Sequence, residues 1–483
     1  MMRRAKRLPK VMPTILWTLA LALAVLPAMG AALHLPAHKK LVLPNGLTIL
    51  MMEQRGIPLV SFSVLIKAGA TSDPPAREGL ASVTAELLRK GTKTRTSQKF
   101  SADLDFIGGV YDAGASSDFT SLSAEFMAKD VRQGLDLLTD ALLYPVFPQD
   151  EVTKILRQDI DGVRAEKDEA RSVLNTYFNT YLYAGHPYGR PSGGDETSLA
   201  AIQRQDVTHF YETNYTPGNT IVAVAGDFQT SEMGKLLSER LAAWAPRKAP
   251  GVALTPLPPV PGKKLLLVDK PDSTQSYFAI GNVGIARTDP DRTALRVVNS
   301  LFGERFDSMI NKELRIKSGL TYGAFSSFDR RKVPGPFLIF SYTRNETTAQ
   351  AIDLTLQVLK QLHEKGLSEE DLASAKNYLK GRFPPSIETP NQLAELLTQF
   401  EFYGLDASEV NDFEARVDAV TPEVARRLIQ KHYPLDNLVF VLIGKAGEIR
   451  DVVKKYAPTM DTRPIAEPGF WKPATSAPAK PAS

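Results

Sequence analysis

His34, His38, His186, His209, His363 and His432 are the only imidazoles of this 483-residue chain, and it has no cysteine. Imidazoles and thiolates are the usual zinc ligands, so any zinc chemistry would start from these six side chains. His34 and His38 are four apart, but Pro36 lies between them and forbids the helix that would align them. They read as a solvated linker. The other four stand singly, with no second ligand at zinc spacing, and His186 in Gly185-His186-Pro187-Tyr188-Gly189 reads as a structural turn residue. Nucleophile and phosphate chemistry have no better footing: there is no Gly-x-Ser-x-Gly, no P-loop, and no Gly-x-Gly-x-x-Gly after a strand pattern. Basic runs such as Arg89-Lys90-Gly91-Thr92-Lys93 are short and read as solvated surface. Without cysteine there is neither a disulfide framework nor a thiol to acylate, so the core must hold the fold.

The elements that would position any site follow from composition and pattern. Hydrophobic residues make up 43%, charged residues 23% and aromatics 8%, which is globular and excludes collagen-like, low-complexity or wholly disordered classes. The formal charge is +4, but five cations (Arg3, Arg4, Lys6, Arg7, Lys10) precede residue 31; without them 53 cations face 54 acids. A nucleic-acid partner therefore has no electrostatic support. Residues 1–30 read as a signal peptide: the cationic start, the apolar run Ile15 to Leu26, and small residues from Ala28 to Ala32. The run is short for a membrane span. Cleavage after Gly30 or Ala32, or retention as an N-terminal anchor, are both open to such a leader, and either places the chain in a Gram-negative-type periplasm.

Six prolines between Pro246 and Pro261 mark residues 246–263 as a stiff connector between two independently packed halves. Five more from Pro464 to Pro481 mark residues 461–483 as a disordered tail. The halves, 40–245 and 264–460, repeat one another. Tyr215, Asn219 and Gly226 recur as Tyr433, Asn437 and Gly444 at a constant offset of 218, each Tyr closing a helix-like stretch before a strand-like run. Amphipathic stretches (Asp130–Leu143, Gln149–Lys167, Thr293–Arg315, Thr348–Lys365) between short β-branched runs predict an α+β fold: two homologous domains, each a largely antiparallel sheet with helices packed on one face.

Weak landmarks in a specific order then resemble the pitrilysin/insulinase family of zinc metallopeptidases, the inverzincins. They are Leu43-Pro44-Asn45-Gly46-Leu47, Ala68-Gly69-Ala70, Glu78-Gly79-Leu80-Ala81, Lys90-Gly91-Thr92, Ile107-Gly108-Gly109, Pro145-Val146-Phe147 and the His186-Pro187 turn. The second half adds Leu301-Phe302-Gly303, Leu314-Arg315 and Ser318-Gly319-Leu320-Thr321-Tyr322. Where an active member would carry His-x-x-Glu-His, this chain reads Ser82-Val83-Thr84-Ala85-Glu86. The resemblance puts Ser82 and Glu86 in place of the two zinc-binding His, Ala85 in place of the water-activating Glu, and Glu166, with Asp159 seven residues before it, on the helix of the third ligand. Two carboxylates without an imidazole suit Mg²⁺ or Ca²⁺ better than Zn²⁺, or serve as surface and ion-paired helix charges.

The resemblance also assigns Arg315 and Tyr322 to substrate orientation and oxyanion stabilisation; their bland alternatives are a charge near a helix C-terminus and a core aromatic. It implies a non-catalytic chain with no cofactor of its own, paired with a catalytic subunit of the same family that carries the zinc and acts on peptides. A non-proteolytic scaffold or binding protein on the same fold is the alternative, and a lone hydrolase ranks last.

Overall fold

The computed structural model describes residues 33–251, 256–257 and 260–472. The leader and the tail beyond Lys472 lie outside the described residues, as does part of the proline-rich connector. Strands form where β-branched and aliphatic residues run together. β1 (Lys39–Val42), β2 (Thr48–Glu53), β3 (Leu59–Ile66), β4 (Val110–Ala115), β5 (Thr120–Met127) and β6 (Thr220–Gly226) make one six-stranded sheet, order β1-β2-β6-β3-β5-β4. Only its β2–β6 pair is parallel. β7 (Lys264–Asp269), β8 (Gln275–Val283), β9 (Ala324–Arg330), β10 (Pro334–Arg344), β11 (Val439–Gly444) and β12 (Thr459–Pro464) make the second, order β12-β7-β11-β8-β10-β9. It is antiparallel from β11 to β9 and parallel across β11, β7 and β12.

Five strands of the two orders correspond (β2, β6, β3, β5 and β4 with β7, β11, β8, β10 and β9), while the outer strands differ, β1 being antiparallel to its neighbour and β12 parallel. The helices Arg204–Asn214 and Pro422–His432 keep the 218-residue offset. Tyr215 and Tyr433, which close them, are both buried. The fold is α+β, in two homologous halves. Its helices include α1 (Leu80–Leu87), α2 (Gln149–Asp168), α3 (Ala170–Tyr183) and α4 (Pro390–Tyr403).

What joins the halves differs from the expected connector. On β3, Val60, Phe62, Val64 and Ile66 enter the first half's core, while Ser61 and Ser63 take the reverse face. There α4, from the second half, lies across β3 and β6, and the Ser63 and Thr398 hydroxyls meet at 3.0 Å. Reciprocally, α3 packs on β8 and β11 of the second sheet. That sheet divides its residues: Leu265, Leu267, Phe278 and Ile280 face their own helices, whereas Leu266, Val268, Val441 and Ile443 join the first half's core. Each half thus lends a helix to the other's sheet, and the halves are not independently packed. Period-2 and period-3.6 patterns report that a face is buried but not which half buries it.

Two further expectations need correction. Asp461 does not begin a disordered tail: Asp461 to Pro464 lie in β12, paired with β7, and Ile465 and Phe470 are buried. An edge strand bonds on one side only, so a proline-bearing segment can serve there. Nor is Thr293–Arg315 one continuous helix. An α-helix over Arg292–Asn299 passes into a wider turn at Ser300–Glu304, breaks at Arg305, and resumes from Met309. Gly303 packs so tightly against β9 that an added Cβ would lie 2.6 Å from the Ser326 amide nitrogen, which fixes the interruption there.

Candidate functional site

Asp73 organises the start of α1. Its carboxylate oxygens accept 2.9 Å hydrogen bonds from the Gly79 and Ala81 amides, filling the helix N-terminus, where unsatisfied N–H groups collect. Gly79 has φ +96°, a conformation that favours glycine, and a Cβ there would meet the Gly193 carbonyl at 2.9 Å. Asp73 is buried, and burial pushes its carboxyl up to about 8 against the pull of those two amides and Arg190. No local pattern in the sequence distinguishes this aspartate, and sequence reasoning missed it.

On α1, the Ser82 hydroxyl donates to the Ser192 carbonyl at 2.9 Å, and Ala85 is fully buried. Glu86 is half-buried, with the Lys90 ammonium 3.9 Å away. Across from it on α2 stands Asp159, not Glu166. Burial first, then the negative charge of Glu86, push the Asp159 carboxyl up to about 6, while Lys90 pulls it down. Glu166 is exposed. The structure thus brings Glu86 and Asp159 together and leaves Glu166 outside.

This donor set does not fit zinc. Ser82 is committed to a carbonyl, Ala85 offers no donor atom, and two like-charged carboxylates with no imidazole do not make a tetrahedral nitrogen-rich site. Among the described residues no group of three or more His, Asp or Glu is placed to hold a metal ion. The histidines serve elsewhere. His186 is buried between Tyr183 and Tyr188 and accepts from the Tyr188 amide at 3.2 Å; His432 stands 3.2 Å from Asp291; His363 meets the Tyr433 carbonyl at 2.7 Å.

In the second half, Arg315 and Tyr322 do come together. The Arg315 guanidinium carbon lies 4.3 Å from the Tyr322 ring centre and 4.6 Å from that of Phe306. This cation–π sandwich stands on the surface: Tyr322 is 74% exposed and Phe306 62%. Tyr322 is therefore no core aromatic. Phe306 was not anticipated, because it lies in the break of the interrupted helix.

The family model "Insulinase (Peptidase family M16)" matches residues 48–196, and "Peptidase M16 inactive domain" matches residues 201–379. The chain belongs to the insulinase family, M16. An uncharacterized zinc protease of Streptomyces coelicolor is 23% identical over 426 residues, covering 86% of this chain and 92% of its own. A probable mitochondrial-processing peptidase subunit beta of Arabidopsis thaliana is 23% identical over 448 residues, 89% of this chain and 82% of its own. Among solved structures, a peptidase M16 inactive domain from Pseudomonas fluorescens superposes with a TM-score of 0.78 at 26% identity, covering 84% of this chain and 98% of that one. The sequence of this M16 chain contains no His-x-x-Glu-His. No helix among the described residues is long and apolar enough to cross a membrane.

Proposed function

We propose that this M16 chain is the non-catalytic, substrate-binding subunit of a heterodimeric, zinc-dependent periplasmic peptidase. Its partner, an M16 chain with an intact His-x-x-Glu-His, would hold the metal. The observation that carries the reading is the surface pairing of Arg315 with Tyr322 in a chain that has no His-x-x-Glu-His of its own. A planar guanidinium and a phenol both donate hydrogen bonds, and both suit a peptide carbonyl whose oxygen gains negative charge as it is attacked. An exposed pair of this kind is open to a substrate brought to the surface. The leader, read as a signal peptide, is what points to the periplasm.

The test is steady-state kinetics of the reconstituted pair. Arg315→Ala or Tyr322→Phe is expected to lower kcat by roughly 10²–10³-fold, the usual loss for one oxyanion donor, with gel filtration unchanged. Unchanged kcat in both variants would favour the scaffold reading. The chain alone is expected to hydrolyse no peptide, and chelator-sensitive hydrolysis by the pure chain would overturn the assignment.

A further inference from the structure

The second half has its own counterpart of the place where the degenerate motif lies. In the first half α1 follows β3 and packs against the edge strand β4; in the second, helix Arg292–Asn299 follows β8 beside the edge strand β9. Between that helix and β9 a half-open cavity of about 320 Å³ has Ser326, Ser327 and Asn299 on its polar side and Ile285, Leu295 and Phe328 on its apolar side. Arg292, Arg296 and Arg330 line it together with Glu304, and the same three arginines line an adjoining smaller cavity with Arg287 and Glu409.

Four guanidiniums thus converge on one cleft, and they are poorly neutralised. Arg292 is paired with Glu409, which also takes Arg416 at 3.3 Å. Among the described residues the Arg287 side chain reaches the Gln399 amide oxygen at 3.4 Å and the Tyr403 ring at 5.8 Å, and no carboxylate. Arg296 and Arg330 make no side-chain hydrogen bond or ion pair among the described residues, and the charge of Glu304 favours the charged form of Arg330 without pairing with it. Burial and the charges of Arg287, Arg296 and Arg292 push Arg330 down to about 10. Crowding like charges beside apolar walls is unfavourable unless an anion completes the set. Guanidinium forks match carboxylates two oxygens at a time, and Ile285, Leu295 and Phe328 offer a surface for the methylenes that carry them.

We infer that this cleft, walled by Arg296 and Arg330, binds the side-chain carboxylates of an acidic peptide segment, an inference that rests on the substrate-binding reading above. The cleft gives this subunit a preference for substrates with Glu or Asp away from the scissile bond.

Fluorescence anisotropy on the full chain tests it, with a fluorescein-labelled nonapeptide of alternating Glu and Ala and the same peptide with Gln for Glu. The Glu peptide is expected to bind about tenfold tighter or better, the equivalent of one charge-assisted hydrogen bond, with the gap closing as salt rises. Arg296→Gln or Arg330→Gln should abolish the difference. Either should raise the ligand-free Tm, because it removes a like charge, and that Tm also shows that the variant folds. Equal binding of both peptides, unaltered in the variants, would overturn the arginine site and leave the substrate-binding reading intact. Binding of neither peptide would overturn both. If inorganic phosphate displaces the Glu peptide at matched concentration, the cleft is a general anion site and the peptide assignment falls.

Discussion

Glu86 on α1 and Asp159 on α2 face one another, and they give this place a measurable pH signature. Asp159 is raised from 3.8 to about 6 by burial and by Glu86. A raised carboxyl means that the folded chain holds a proton the unfolded chain has released, so this group's contribution to stability is present below pH 4 and lost as pH rises through about 6. Glu86→Gln removes the second cause and should lower the Asp159 midpoint, read by carboxyl NMR titration. An unmoved midpoint would mean that burial alone sets it. Ser82, Glu86, Asp159 and Glu166 could be picked out in the sequence as candidates. The exposure of Glu166 and the approach of Asp159 could not, because both depend on the rotation of α2 against α1.

Among the elements, α2 and the segment after β12 are held by a buried charge. The Lys167 ammonium lies 2.6 Å from Glu196 and donates at 3.0 Å to the carbonyls of Glu467 and Gly469, while Phe470 covers it at 5.3 Å. Taking away one partner of such a pair strands the other, at a typical cost of about 3–5 kcal/mol. Lys167→Met should therefore lower Tm markedly. An unchanged Tm would show that the segment after β12 contributes little. Helix and strand positions were largely legible, since the Gln149–Lys167 pattern matches α2 within one residue and the paired turns mark the start of β6 and β11. The Lys167 contacts span about 300 residues, and no local pattern announces them.

For the whole molecule, the duplication was visible as an offset, but the exchange of α3 and α4 was not. That exchange changes what a cut in the connector should do. Proteolysis within 246–263 is expected to give two fragments on a denaturing gel that elute together from native gel filtration, because one face of the second sheet is part of the first half's core and each half covers the other's sheet with a helix. Fragments that separate without denaturant would overturn this account of the interface. A complementary check is Thr398→Val: losing the Ser63 partner should cost about 0.5–1.5 kcal/mol by urea unfolding, as for an ordinary hydrogen bond, despite the distance in sequence.

The exchanged helices also bear on how the polypeptide is made. Well over three hundred residues separate Ile66 from Pro390, so the reverse face of β3 waits for α4 until most of the chain has been synthesised. An N-terminal portion emerging first presents a sheet face with nothing to cover it, and pairings this distant in sequence close slowly. The nascent protein is thus a late-closing one, its first sheet exposed to wrong partners until the second half arrives.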